Sequence, residues 1–165
     1  MTLREEFLSV AQKEVGYVEG PKDNETKYGK FTKADRQPWC GSFVMWCAAQ
    51  VGLKIPNVVS TYLGAEKFKG IGAWHNAETY NPRPGDLVFF DFQEGGNPID
   101  HVGIVLVNHG DGTVTTIEGN TTGDAKKKAS ERNGGEVAVK TRAYRTNRKK
   151  LPVFVVGFGS PKFTN

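Results

Sequence analysis

Apolar residues recur at helical spacing at the start of the chain, at Leu3, Phe7, Val10, Ala11 and Val15, with Thr2 and Glu5 ahead of them as a capping-box pair and Gly16 as a stop. The pattern predicts a short amphipathic helix. Residues 16–39 lose this period and are rich in Gly, Pro, Asn, Asp and Lys, with Tyr17, Tyr28 and Phe31 scattered among them. They read as an irregular connection, and one too long to be idle. Cys40 to Val51 is apolar on nearly all sides and is closed by Gly52, which predicts a buried helix. Ser60 to Gly70, with cap-like ends around Leu63 and Phe68, predicts a third and shorter one. After Trp74 the period falls to two. Strands are expected over 86–92, following the turn Pro82-Arg83-Pro84-Gly85, and over 101–107 and 113–118, joined by the hairpin turn Asn108-His109-Gly110-Asp111-Gly112. Two more are expected over 136–140 and 153–158. Helices followed by antiparallel strands predict an α+β class, the N-terminal helices packed on a single antiparallel sheet.

Length and composition narrow this picture without changing it. The chain of 165 residues suits one domain, and 38% hydrophobic with 24% charged residues is the composition of a globular protein with a real core. No apolar run approaches the ~18–20 residues of a membrane span, so no membrane partner is expected. Met1 to Glu6 lacks the basic-then-apolar layout of a signal peptide. Two cysteines are too few for a disulfide scaffold, and three histidines leave little for a zinc site. The net charge of +4 is uneven. Residues 126–150 hold ten Lys or Arg against Glu131 and Glu136, a net of +8, which leaves −4 for the rest. This stretch meets a polyanion or is simply a solvated strand-loop-strand surface.

Cys40 lies where the irregular segment turns into the buried helix, and a helix N-terminus lowers a thiol pKa by presenting free N–H groups and the positive end of the dipole. The place suits a nucleophile, although most free cysteines are small core residues. Cys47 lies on the same face, and seven residues at ~1.5 Å rise put the two roughly 10 Å apart, too far for a disulfide. Cys47 is expected in the core. A nucleophilic Cys40 needs a base, and His101 opens a strand at a sheet end, whereas His75 and His109 fall in a loop and a hairpin tip. If Val107 faces Thr113, the returning strand places Glu118 or Asn120 near His101, where a polar group would fix the imidazole tautomer.

Five blocks in order, Tyr28-Gly29-Lys30-Phe31, Gln37-Pro38-Trp39-Cys40-Gly41-Ser42-Phe43-Val44, Pro84-Gly85-Asp86-Leu87-Val88-Phe89-Phe90, Asp100-His101-Val102-Gly103-Ile104-Val105 and Ile117-Glu118-Gly119-Asn120, resemble the CHAP domain, the cysteine, histidine-dependent amidohydrolase/peptidase module. The resemblance spans about residues 5–160 and implies a single catalytic domain over 1–165, a papain-like α+β fold and hydrolysis of an amide bond in bacterial peptidoglycan. It implies Cys40 as nucleophile, His101 as base, Glu118 as the residue orienting the base and Asn120 as a further polar position of the site. By analogy with papain-like enzymes, Gln37 is the candidate side-chain donor to the oxyanion, or else a loop residue capping the next helix.

The missing leader resembles bacteriophage endolysins, held in the host cytoplasm until release to the wall. Some members carry an acidic calcium loop upstream of the cysteine. Asp23, Asn24 and Glu25 form only a thin cluster between Lys22 and Lys27, so neither metal nor cofactor is expected. Anionic wall polymers are a candidate partner for residues 126–150. Two alternatives stand beside this reading: a papain-like thiol hydrolase acting on non-wall amides, and a basic nucleic-acid-binding module. The second has only Tyr144 among its cations and leaves Cys40, His101 and Glu118 unexplained, so no nucleic-acid partner is expected.

Overall fold

The computed structural model describes residues 1–125 and 130–164. Four helices, α1 (Leu3–Lys13), α2 (Lys27–Thr32), α3 (Cys40–Gln50) and α4 (Thr61–Gly70), precede six strands, β1 (Trp74–Asn76), β2 (Leu87–Phe90), β3 (His101–Asn108), β4 (Thr113–Thr121), β5 (Glu136–Ala143) and β6 (Val155–Gly159). The strands form one antiparallel sheet in the order β1-β6-β2-β3-β4-β5. This is the α+β arrangement expected from the change of period at Trp74. Among the described residues no helix is long and apolar enough to cross a membrane.

The capping box of α1 forms as its residues require: Glu5 N–H donates to Thr2 Oγ1 at 3.2 Å, and Thr2 N–H donates to Glu5 Oε2 at 2.7 Å. Ser60 caps α4 through its hydroxyl. Two elements depart from expectation. The connection over 16–39 contains α2, capped by Thr26, whose side chain accepts from Gly29 N–H at 2.9 Å. Its six residues are too short for a hydrophobic period to show. Trp74 to Asn76, expected in a loop, pairs with β6 as an edge strand, and the His75 ring stacks on Tyr80 at 3.9 Å.

Alternation on the strands explains how the sheet is covered. Leu87 and Phe89 of β2, Val102 and Ile104 of β3 and Ile117 of β4 pack with Phe43, Val44 and Cys47 of α3, while Val88, Phe90, Val105, Val114 and Phe158 build a second cluster on the opposite face. The irregular segment is anchored by aromatic packing. Tyr28, fully buried, stacks on Trp39 at 5.4 Å and meets Tyr17, Phe43 and Trp46 edge-on. Trp39 Nε1–H donates to Glu19 Oε1 at 3.0 Å. These contacts hold the chain immediately before Cys40 against α3. Gly41 permits the approach from the other side, because a Cβ there would fall 1.9 Å from the carbonyl oxygen of Val58.

Candidate active site

Cys40 is the first residue of α3, whose N-cap, Trp39, supplies no side-chain acceptor to the first turn. The N–H groups there are left for another acceptor, and those of Gly41 and Val102 are directed at the Cys40 sulfur. Burial disfavours a thiolate at this place, but the charge and hydrogen bond of His101, together with those two donors, outweigh it and bring the thiol below its ordinary pKa. Cys47, two turns along the same helix, is fully buried; burial and then the charge of Glu14 push its thiol well above the ordinary value. One helix therefore carries two thiols shifted in opposite directions, Cys40 down and Cys47 up.

His101 opens β3 and is fully buried, with the rings of Phe90 and Phe92 each 5.6 Å from its own. Its Nε2 lies 2.9 Å from Glu118 Oε1. The same oxygen accepts from Arg142 Nη2 at 2.7 Å, and Oε2 accepts from Arg142 Nε at 2.8 Å and from the Thr116 hydroxyl. Burial alone would raise Glu118, but Arg142 first and His101 next hold it far below the usual carboxylate range. An ionised carboxylate only accepts, so Nε2 must carry the hydrogen. Nδ1 is then the ring atom left to hydrogen-bond and exchange a proton with Cys40. Burial acts to lower the pKa of His101, but the Cys40 charge and then Glu118 overcome it and raise the imidazole to about 9. The two shifts, the thiol down and the imidazole up, both favour a thiolate beside an imidazolium, the pairing that nucleophilic and acid–base work needs.

The choice between Glu118 and Asn120 is decided by the β3–β4 register. The turn is tighter than Val107 facing Thr113: Val107 pairs with Thr115, and beyond a bulge between Val105 and Val107, Ile104 pairs with Ile117. This register sets Glu118 beside Gly103, where a Cβ would stand 2.6 Å from Glu118 Cγ, and the carboxylate reaches His101 diagonally. Asn120 is buried, yet its amide is not joined to His101. It donates to Asn133 Oδ1 and accepts from Gly135 N–H, both at 3.0 Å, fixing the loop before β5. Gln37 is exposed on the lining of the same cleft as Cys40 and does not cap α3.

Arg142 was legible only as one cation of the basic stretch. In the structure it is four-fifths or more buried and bridges Glu118 and Glu131. Lys140 donates to the Thr122 carbonyl, and Arg145 to the carbonyls of Ala77 and Tyr80. Three of the ten cations, Lys140, Arg142 and Arg145, are therefore bound within the fold, while Lys149 and Lys150 are exposed and Lys126, Lys127 and Lys128 lie outside the described residues. The sequence signal that could have found Arg142 is parity: it shares a face of β5 with Ala138, the partner of Glu118.

Cys40 opens into a cleft of about 170 Å³, lined also by Gln37, Ser60, Thr61, Asn97 and Arg132. The apolar hollow beside Phe90, Phe92 and Leu151 is slightly larger, about 210 Å³, but it does not include Cys40. Asn24, in the segment considered for calcium, is buried with its N–H on Glu19 Oε2, and among the described residues no group of three His, Cys, Asp or Glu is placed to share a metal.

The family model for the CHAP domain matches residues 32–120, a span that contains Cys40, His101 and Glu118. A solved structure described as similar to a lipoprotein of the NLP/P60 family, from Staphylococcus aureus, aligns at 15% identity with a TM-score of 0.46, over 95% of this chain and 40% of that chain. No curated protein sequence matches the chain.

Proposed function

The chain belongs to the CHAP domain family, the cysteine/histidine amidohydrolases and peptidases, and on that basis we propose that residues 1–165 are one catalytic domain that hydrolyses an amide bond of bacterial peptidoglycan. The observation that carries the proposal is the cleft in which an activated Cys40 stands beside a histidine held by an ionised carboxylate. The Cys40 thiolate attacks the carbonyl carbon, and the oxyanion forms against the Cys40 N–H with Gln37 as the second donor. His101 Nδ1–H protonates the leaving amine, the C–N bond breaks and a thioester remains. Water then gives a proton to Nδ1 and attacks the thioester, the C–S bond breaks, and the acid and the thiolate are released. Glu118 keeps Nε2 protonated throughout and stabilises the imidazolium.

An endolysin-type setting belongs to the same proposal: storage in the host cytoplasm, release to the wall, and retention there by anionic wall polymers on the basic segment. The deciding experiment digests purified walls with the wild-type protein and with Cys40→Ala, and locates newly freed amines by mass spectrometry. New amines with the wild type and none with Cys40→Ala are expected. Intact walls alongside cleavage of an unrelated peptide amide would instead favour a thiol hydrolase of non-wall substrates.

A further inference from the structure

Arg132 shares the cleft of Cys40. The loop that carries it is held from both sides: Glu94 accepts from the Ser130 hydroxyl at 2.6 Å, from Glu131 N–H at 3.2 Å and from Arg132 N–H at 3.1 Å, while Asn120 holds Asn133 and Gly135. The backbone of Arg132 is thus positioned, yet its side chain has no partner among the described residues. Nε is buried without a hydrogen-bond partner, and among the described residues the guanidinium has no ion pair.

The acids nearby are already committed. Asp100 accepts from Phe92 N–H at 2.9 Å and Glu94 N–H at 3.0 Å, Glu94 holds the loop, and Glu131 turns to Arg142. Gly95 passes close behind, where a Cβ would come within 3.3 Å of Nε. A buried guanidinium Nε–H with no acceptor is costly, and the planar fork of the group matches a carboxylate through two parallel hydrogen bonds. A cleft of about 170 Å³ holds only a short piece of substrate, so the group that meets Arg132 and the carbonyl that meets Cys40 must be near neighbours in one peptide.

We propose that Arg132 is the receptor for a free carboxylate of the substrate, adjacent to the amide attacked by Cys40, and that it makes the enzyme selective for acidic stem peptides over their carboxamide counterparts. The inference rests on the peptidoglycan reading above. Soluble muropeptides in which the free carboxylates are replaced by carboxamides one at a time provide the test, with wild type, Arg132→Gln and Arg132→Lys. For the wild type, one such replacement should lower kcat/KM at least tenfold. Arg132→Gln should erase that preference mainly through KM, leave the carboxamide substrate within about threefold, and leave the rate of Cys40 alkylation by iodoacetamide unchanged. Arg132→Lys, which keeps the charge without the fork, should retain part of the preference, and it serves as the test should the Gln variant not fold. A preference unchanged in either folded variant, or equal losses on both substrates, overturns the proposal. A wild type that cleaves acid and carboxamide forms equally overturns it alone, whereas a wild type that cleaves no muropeptide overturns the peptidoglycan reading as well.

Discussion

Glu118 lies against the bare Cα of Gly103, so close that a methyl group there would stand 2.6 Å from its Cγ. The carboxylate reaches His101 across this gap, and a side chain at 103 would push it away from Nε2. Gly103→Ala is therefore expected to fold with a loss of about 1–3 kcal/mol from overpacking and to lose at least tenfold in turnover. Thermal melting and the rate of wall hydrolysis check this. Wild-type turnover in the alanine variant would show that the approach is not required.

The state of His101 sets the alkaline limit. Its folded pKa, raised from 6.5 to about 9, means that the stability it adds is fully present below 6.5 and is lost as pH rises through about 9, where the proton for the leaving amine is lost too. Activity should fall in the same window. The Cys40 charge is the largest cause acting to raise His101, so Cys40→Ala should move its titration to lower pH, as read by NMR of the ring. An unchanged titration would separate the two side chains electrostatically.

Arg142 holds Glu118 ionised, so Arg142→Gln leaves a buried carboxylate short of its main partner. The expected loss is about 3–5 kcal/mol of stability. Glu118 now lies well below 4.5, and its contribution is present above 4.5 and lost as pH falls through the folded value. In the variant that folded value moves up toward 4.5, and acid unfolding should begin at higher pH. Arg142→Lys, without the bidentate fork, should recover only part. Equal acid stability of wild type and Arg142→Gln, followed by circular dichroism, would contradict the role.

The lysines of the basic segment are expected to act on capture and not on chemistry. Replacing Lys126, Lys127, Lys128, Lys149 and Lys150 by Gln should weaken binding to intact walls at low salt, where the Debye length is ~10 Å at 0.1 M against ~3 Å at 1 M. Cleavage of a soluble muropeptide should stay within a few-fold. Sedimentation of protein with walls, with and without added salt, reads the first effect. Unaltered sedimentation would make these lysines a solvated surface.

Local physics determined a good deal of this protein. Thr2 with Glu5 starts α1, the apolar run after Cys40 makes α3, and alternation marks the five longer strands, because each signal lies within a few residues. The sequence also singled out Cys40 and His101 by where they fall, at the start of a helix and the start of a strand, and it brought the partner of His101 down to two residues. Short elements such as α2 and β1 escaped because one turn of helix, or three residues of an edge strand, show no period.

What the tertiary structure alone decided depends on register and on loops far apart in sequence. A bulge between Val105 and Val107 sets Glu118 beside Gly103 and leaves Asn120 to hold the loop before β5. Parity on β5 turns Arg142, one cation among ten, inward onto Glu118, and the clamp by Glu94 delivers Arg132 to the cleft with its Nε–H unpaired. A one-residue slip in pairing reverses every side chain of a strand, so these placements have no local signature and arise only once the sheet is assembled.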